Sequence, residues 1–154
     1  IVGIADLNPA NARSNLAYVG WPTGKYSAAS LDDALQTGAS FVSDDWQALV
    51  SHSAIDIIVE CTGDPVAAVH HIVTAYAHGK DVINVTVEAD AFCGPGLSQA
   101  AIEAGVVYSM AYGDQPALTC ELVDWARTCG FKVTAAGRGH KWLIQKNSWN
   151  CSHN

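Results

Sequence analysis

Four short polar segments each follow an apolar run that has the composition of a β-strand. They are Asp6, Cys61-Thr62-Gly63, Asn84 with Glu88 and Asp90, and Gly113-Asp114. The carboxyl ends of parallel strands lie along one edge of an α/β sheet, and ligands bind in the crevice outside that edge. Because the strands are expected to run parallel, the four segments should converge at that edge, and their convergence predicts a cofactor site.

Residues 55–65 organise the chain around this edge. Ile55 to Val59 predicts a buried strand, Cys61 to Gly63 a tight polar turn, and Asp64-Pro65 the start of a helix. The Asp64 carboxylate can cap the helix, and a proline at the first helical position lacks only an N–H that has no helical partner there. A strand, a turn and a capped helix also occur without a ligand, so an ordinary βα turn is the alternative.

Asp6 ends the first apolar run, residues 1–5, and Asn8-Pro9 opens the helix that follows. In a dinucleotide-binding fold, an acidic residue at the end of the second strand binds the ribose hydroxyls. Asp6 could equally be a cap or a turn residue, so it carries weight only together with the other segments.

No Gly-x-Gly-x-x-Gly motif precedes Asp6. The first strand, the phosphate-binding turn and the first helix of a dinucleotide-binding fold take about 30 residues. We therefore expect the chain to begin inside the fold, lacking the first strand and the Gly-rich turn, with the missing strand between residues 1–5 and 55–59. Apolar surface on these two strands should then be poorly covered, which predicts low stability or self-association.

Further polar residues could act on a substrate. Glu88 and Asp90 follow the predicted strand 81–84 and are candidates for substrate contact or acid–base work. Two carboxylates placed close together would repel each other and split their pKa values; two solvated loop residues are the alternative. Arg138 and Lys141 could bind a phosphate or a carboxylate, or form a solvated turn.

Cys61 allows two interpretations. A nucleophilic thiol needs an activating partner, and no histidine neighbours Cys61 in the sequence. The preferred interpretation is a small residue that lets a dinucleotide approach the turn.

The remaining pattern alternates helices and strands, which is typical of an α/β, Rossmann-like fold with helices on both faces of a parallel sheet. The predicted elements are a helical turn at 31–37, a strand at 41–42, a short helix capped by residues 43–45, helix 65–78, strand 81–84, a turn at 94–96, helix 97–104, strand 106–109, a helix that starts at 116 and strand 131–136. Residues 1–141 are expected to form one incomplete domain, and residues 142–154 a poorly ordered tail.

Composition limits the classes of partner. The chain has 154 residues, 49% hydrophobic and 15% charged, which fits one globular domain. A net charge of −7 disfavours nucleic acid and anionic membranes, and no apolar run approaches the ~20 residues of a membrane span. Five cysteines without a Cys-x-x-Cys pair indicate reduced thiols in the cytoplasm, and without a His-x-x-x-His pair no metal site is predicted.

Four segments, residues 55–63, 84–90, 113–122 and 135–139, together resemble the homoserine dehydrogenase-like oxidoreductases that carry a C-terminal SAF domain. That group includes DXR-like enzymes, which are similar in role to the NADPH-dependent reductoisomerase of isoprenoid biosynthesis. The resemblance covers residues 1–141. It implies an N-terminal Rossmann domain, NADP or NAD as cofactor, a small-molecule substrate and a homodimer.

The resemblance also implies roles for the polar segments. Asp6 would hold the adenosine ribose, and the turn residues Cys61, Thr62 and Gly63 would line the dinucleotide. Asn84 would lie near the nicotinamide. The residues that would face the substrate or act in catalysis are Glu88, Asp90, Asp114 and Lys141. No lysine occupies residues 85–90, so no catalytic lysine is assigned there.

Two questions stay open at this point. The Asp6 carboxylate would repel a 2′-phosphate and so favours NAD, whereas the family precedent is NADPH. The predicted function is an NAD(P)-dependent oxidoreductase in truncated form. The alternative is a non-catalytic α/β module that binds a nucleotide weakly or packs against a partner, and the missing phosphate-binding turn favours it.

Overall fold

A computed structural model describes residues 1–113 and 115–137. Chain contacts divide it into two compact units, Ile1–Ala111 and the segment from Tyr112 onward. The elements of the first unit are β1 (Gly3–Ala5), α1 (Pro9–Tyr18), a 3₁₀ helix (Thr23–Tyr26), α2 (Leu31–Thr37), β2 (Phe41–Ser43), α3 (Trp46–Ser51), β3 (Ile57–Glu60), α4 (Pro65–Ala77), β4 (Asp81–Asn84), α5 (Val87–Ala104) and β5 (Tyr108–Met110). In the second unit, α6 spans Gln115–Thr128.

β1 and β2 form a parallel pair covered on both faces. Ile4 and Val42, which are neighbours in the register, pack with Ala12 of α1. Phe41, which points to the opposite face, packs against the cluster that contains Leu31 of α2. On β1, α3 lies so close that a Cβ on Gly3 would come within 2.6 Å of Leu49 Cδ1. Glycine at this position therefore lets α3 seat directly on the strand.

The order β3-β4-β5 defines a second parallel sheet. Ile58 and Val82 point to the face that packs against Ile72 of α4 and Leu97 of α5. The same buried cluster continues to Leu31 and Val50, so the two sheets of the first unit share one core. These observations confirm the α/β, Rossmann-like class, with parallel strands joined by helices.

Three sequence expectations need correction. Ile57 and Val59 are 54% and 57% exposed, so β3 is buried on one face only. α5 begins at Val87 instead of after the 94–96 turn, and the Gly-Pro-Gly segment produces only a kink with non-helical angles at Cys93. Residues 131–137 form no strand, and Phe131 at their start is 65% exposed.

Helix caps follow the sequence prediction closely. Asp64 Oδ1 accepts hydrogen bonds of 2.9 Å from the backbone amides of both Val66 and Ala67, and Pro65 is the first residue of α4. Asn8 caps α1 by accepting from the Asn11 amide, and Asp45 caps α3. Capping residues are recognisable in sequence because their side chains satisfy specific orphan amides.

The Asp64 cap provides a stability prediction. Asp64→Ala should lower the free energy of unfolding by about 1 kcal/mol, because two amides of the first turn lose their acceptor. Urea unfolding followed by circular dichroism measures this. Asp64→Asn, which keeps an acceptor oxygen, is the matched control and should recover most of the loss; equal losses in both variants would contradict the capping role.

No helix in the described part of the chain is long and apolar enough to cross a membrane.

Candidate functional site

The turn after β3 is held by hydrogen bonds that point into the protein. The Thr62 amide donates to Glu60 Oε1 at 3.2 Å, and the Gly63 amide donates to Thr86 Oγ1 at 3.0 Å. The Asp64 amide approaches Thr62 Oγ1 at 3.4 Å. Each of these three consecutive amides is therefore committed to an acceptor within the chain. Gly63 has φ = 75°, a left-handed conformation that favours glycine and closes the turn.

The N-terminus of α4 is also occupied. Helix N-terminal amides commonly bind phosphates because several unpaired donors point at the ligand. In α4 the Asp64 carboxylate takes the amides of Val66 and Ala67 and adds a negative charge at the same place. The turn and the helix that follows it can contact a ligand through other atoms, but this geometry is unsuited to gripping a pyrophosphate.

Asp6 and Cys61 each follow the carboxyl end of a strand, β1 for Asp6 and β3 for Cys61. Asp6 Oδ1 accepts from the Asn8 amide at 2.7 Å, which fixes the carboxylate at the end of β1. The Asp6 charge is the smallest of the causes that raise the pKa of the Cys61 thiol. A shared ligand for Asp6 and this turn stays a prediction.

The environment of Cys61 disfavours a nucleophilic role. Desolvation raises the pKa of the Cys61 thiol, and the negative charges of Glu60 and Asp6 raise this pKa further. A reactive cysteine needs the opposite effect, since the thiolate is the nucleophile. The thiol form is therefore stabilised, which supports the interpretation of Cys61 as a small lining residue.

Asn84 has a different role from the one expected. Its side chain is completely buried, so it does not face a cofactor in this structure. The Asn84 amide group donates to Thr86 O at 3.1 Å and to the Tyr108 hydroxyl at 3.0 Å, and its oxygen accepts from the Thr86 amide at 3.0 Å. Asn84 instead fixes the path of the chain between β4 and α5.

Glu88 and Asp90 are separated because both lie in the first turn of α5 and not in a loop. Residues two apart on an α-helix point in directions about 200° apart. Glu88 is exposed, whereas Asp90 is partly buried, lies over Gly94 and accepts a hydrogen bond of 2.9 Å from the Tyr108 hydroxyl. The expected repulsion between two adjacent carboxylates is therefore wrong for this pair.

Tyr108 connects Asp90 to Asn84. Desolvation raises the pKa of the Tyr108 hydroxyl well above its ordinary range, and the Asp90 carboxylate raises this pKa further, so the hydroxyl keeps its proton and donates. Tyr76 packs edge-on against Tyr108, with ring centroids 6.4 Å apart.

Three residues proposed from the sequence lie outside the described residues. They are Asp114, Arg138 and Lys141. Their roles as substrate-facing residues stay predictions. Within the described ranges, no group of three or more His, Cys, Asp or Glu side chains is placed to hold a metal ion.

Sequence reasoning did not single out Glu60, Thr86 and Tyr108. Glu60 has 3% and Thr86 2% relative exposure, and both take part in the hydrogen bonds of the turn. An acidic residue that ends a strand with alternate buried positions was the available signal for Glu60. Nothing in the sequence marks Thr86, because its partners lie 23 and 26 positions away.

Comparisons with known proteins agree with this architecture and define a class, the NAD-binding α/β domains. Residues 23–111 match the family model described as homoserine dehydrogenase, NAD binding domain. The chain belongs to this family, whose match includes the Cys61–Gly63 turn and ends where the first compact unit ends. Residues 113–152 match a second model, described as oxidoreductase DRL, catalytic domain.

The solved structures include a Bacillus subtilis protein, yvaA, which is described as an oxidoreductase. It matches with 19% identity and a TM-score of 0.47 over 83% of this chain. This chain spans 39% of the length of that protein. Among curated proteins, none matches the chain.

Proposed function

We propose that the chain contributes the cofactor site of an NAD(P)-dependent oxidoreductase that acts on a small molecule. The observation that carries the proposal is the match of residues 23–111, which include the Cys61–Gly63 turn at the end of β3, to a family of NAD-binding domains. Asp6 follows β1, and its charge adds to the causes that raise the pKa of the Cys61 thiol. In such an enzyme the cofactor supplies the hydride, and the protein binds and orients it. Asp6 would accept hydrogen bonds from the adenosine ribose, and the turn would line the dinucleotide.

The turn would act as a wall of the cleft. The backbone amides of Thr62, Gly63 and Asp64 already have acceptors in the chain, so the pyrophosphate would be held by other groups of the complete site. Cys61, as a neutral thiol, would lie against the dinucleotide without reacting with it. Asn84 would stabilise the site indirectly, through its hydrogen bonds to Thr86 and Tyr108. The sequence had instead predicted a direct contact with the nicotinamide.

We further propose NAD as the preferred cofactor. A carboxylate that binds the ribose diol repels the 2′-phosphate of NADP. Arg13, the nearest arginine in sequence, donates to the carbonyl oxygens of Tyr26 at 2.7 Å and of Val42 at 3.2 Å. These bonds hold its guanidinium inside the β1–β2 region, so it is committed to the fold and does not compensate Asp6.

Residues 113–152 match a model described as oxidoreductase DRL, catalytic domain. On the resemblance of the sequence, we propose a DXR-like reductase with a SAF domain in the full protein and a role in isoprenoid biosynthesis. Glu88, Asp90, Asp114 and Lys141 would then serve the substrate side. Exposed Ile57 and Val59 support a homodimer or a further covering segment, and the free thiols of Cys61 and Cys93 fit a reducing, cytoplasmic compartment.

Titration of the chain with NADH and NADPH tests the proposed function. We expect binding, followed as a change in nicotinamide fluorescence, with NADH binding tighter. A version extended upstream through a Gly-rich turn should bind more tightly, because it would add donors for the pyrophosphate. Absence of binding by both versions would refute the cofactor site and favour the non-catalytic module, in which the committed amides of the turn serve only the fold.

A further inference from the structure

Glu60 is a buried carboxyl group at the end of a strand. Its side chain is 1% exposed and lies at the carboxyl end of β3, directly before the turn. A buried carboxylate is tolerated when several donors satisfy its lone pairs. Glu60 Oε1 accepts from the Thr62 amide at 3.2 Å and from Thr62 Oγ1 at 2.7 Å, and His71 Nδ1 lies at 3.3 Å.

The second carboxylate oxygen reaches another strand. Thr86 Oγ1 donates a short hydrogen bond to Glu60 Oε2 and accepts one from the Gly63 amide. The direction of these bonds is fixed, because a carboxylate can only accept and a backbone amide can only donate. The Thr86 hydroxyl therefore donates a hydrogen bond to Glu60 and accepts one from the Gly63 amide, and the linked bonds polarise one another.

The Thr86 side chain does not cap the helix that follows it. It stands at the N-cap position of α5, where a threonine side chain commonly accepts from a helix amide. No such bond is formed, and its hydroxyl points to Glu60 and Gly63 instead. The sequence thus uses a capping residue to fix the turn of a neighbouring strand.

His71 holds the network from the helix side. Its ring lies between Glu60 and Trp46, with a ring–ring centroid distance of 4.5 Å to the indole. The Nδ1 atom of this ring faces Glu60 Oε1 at 3.3 Å. α3, α4 and the ends of β3 and β4 are therefore connected through one carboxylate.

We infer that Glu60 and Thr86 are positioning residues of the cofactor site, which hold the Cys61–Gly63 turn with its amides directed inward. The expected effect on cofactor binding rests on the proposed function. The conformation of the turn, in contrast, can be measured in the free protein. The turn can present a defined surface to a dinucleotide only while its amides stay committed, since released amides would give it alternative conformations.

Thr86→Val removes the hydroxyl with little change in shape, and Thr86→Ser retains it. In Thr86→Val we expect a shifted NMR resonance for the Gly63 amide, hydrogen exchange of this amide accelerated about tenfold, and a Kd for NADH raised about tenfold, the effect of one lost charge-assisted network bond. Thr86→Ser should restore all three values. Glu60→Gln keeps only one acceptor oxygen, so either Thr62 or Thr86 loses its acceptor, and we expect this variant too to accelerate exchange of the turn amides.

Val82→Ala, in the core and outside the turn network, controls for general destabilisation. If it raises the Kd for NADH as much as Thr86→Val does, or if Thr86→Val leaves the Gly63 amide unchanged, the positioning role is refuted. If the unmodified chain binds neither NADH nor NADPH, the proposed function fails, and the Gly63 amide still decides whether Glu60 and Thr86 hold the turn.

Discussion

Replacing Asn84 with leucine is expected to lower the free energy of unfolding by about 3 kcal/mol, because buried partners lose their hydrogen bonds while the volume stays filled. The Thr86 amide would lose its acceptor, and Thr86 O and the Tyr108 hydroxyl would each lose a donor. Asn84 and Thr86 are among the most deeply buried side chains of the described chain, so water cannot replace these bonds without opening the core. Chemical unfolding followed by circular dichroism measures the loss.

Asn15→Leu provides the matched control for Asn84→Leu. Asn15 is exposed on α1, and the same chemical change there should alter stability by only about 0.5 kcal/mol. A loss of under about 1 kcal/mol for Asn84→Leu would mean that the released groups find new partners, and the scaffold role of Asn84 would be wrong.

The sequence predicted most elements of the first unit because local chemistry determines them. Asp64-Pro65 and Asn8-Pro9 mark helix starts by satisfying specific amides, and these caps form as expected. Strand 81–84 matches β4 residue for residue. Residues 55–59 were predicted to form a buried strand, and on this point apolar Ile57 and Val59 differ because they stay exposed. Their exposure agrees with the separate prediction that apolar surface on this strand would be poorly covered.

α5 shows a second limit of local reasoning. Gly94-Pro95-Gly96 has the composition of a turn, yet these residues are helical, and the break lies at Cys93, whose non-helical angles separate two helical segments of α5. The first turn of this helix contains Glu88 and Asp90, so their separation depended on a helix boundary seven residues upstream of Gly94. Boundaries are set by packing across the core, here against α4, and such packing is not readable from composition.

The candidate site could be predicted only in outline. The strand ends identified Asp6, which follows β1, and the Cys61 turn, which follows β3. The network beneath them depends on Thr86 and His71, which are 26 and 11 residues from Glu60 in sequence. Contacts at such separations require the parallel pairing of β3 with β4 and the crossover of α4. No short sequence motif therefore predicts them.

Asp6→Asn is expected to change cofactor choice more than any other substitution at the site. The Asp6 carboxylate would accept from the ribose hydroxyls, and asparagine would lose the equivalent of one charge-assisted bond, which contributes about 1.5–3 kcal/mol. The Kd for NADH should therefore rise between about tenfold and a hundredfold. NADPH binding should change little, because the lost diol contacts are offset by the removal of repulsion from its 2′-phosphate.

Asparagine at position 6 removes the negative charge while keeping the local backbone structure, so the effect of the charge can be measured alone. Asp6 also accepts from the Asn8 amide at 2.7 Å, and the amide oxygen of asparagine can keep that bond, so the start of α1 should be unaffected. Asp44→Asn removes the same charge just after β2, at an exposed position, and serves as the control for the overall field. If both variants weaken NADH equally, the effect comes from net charge; if only Asp6→Asn changes the NADH-to-NADPH ratio, the carboxylate contacts the ribose. A Kd for NADH unchanged in Asp6→Asn would remove Asp6 from the cofactor site.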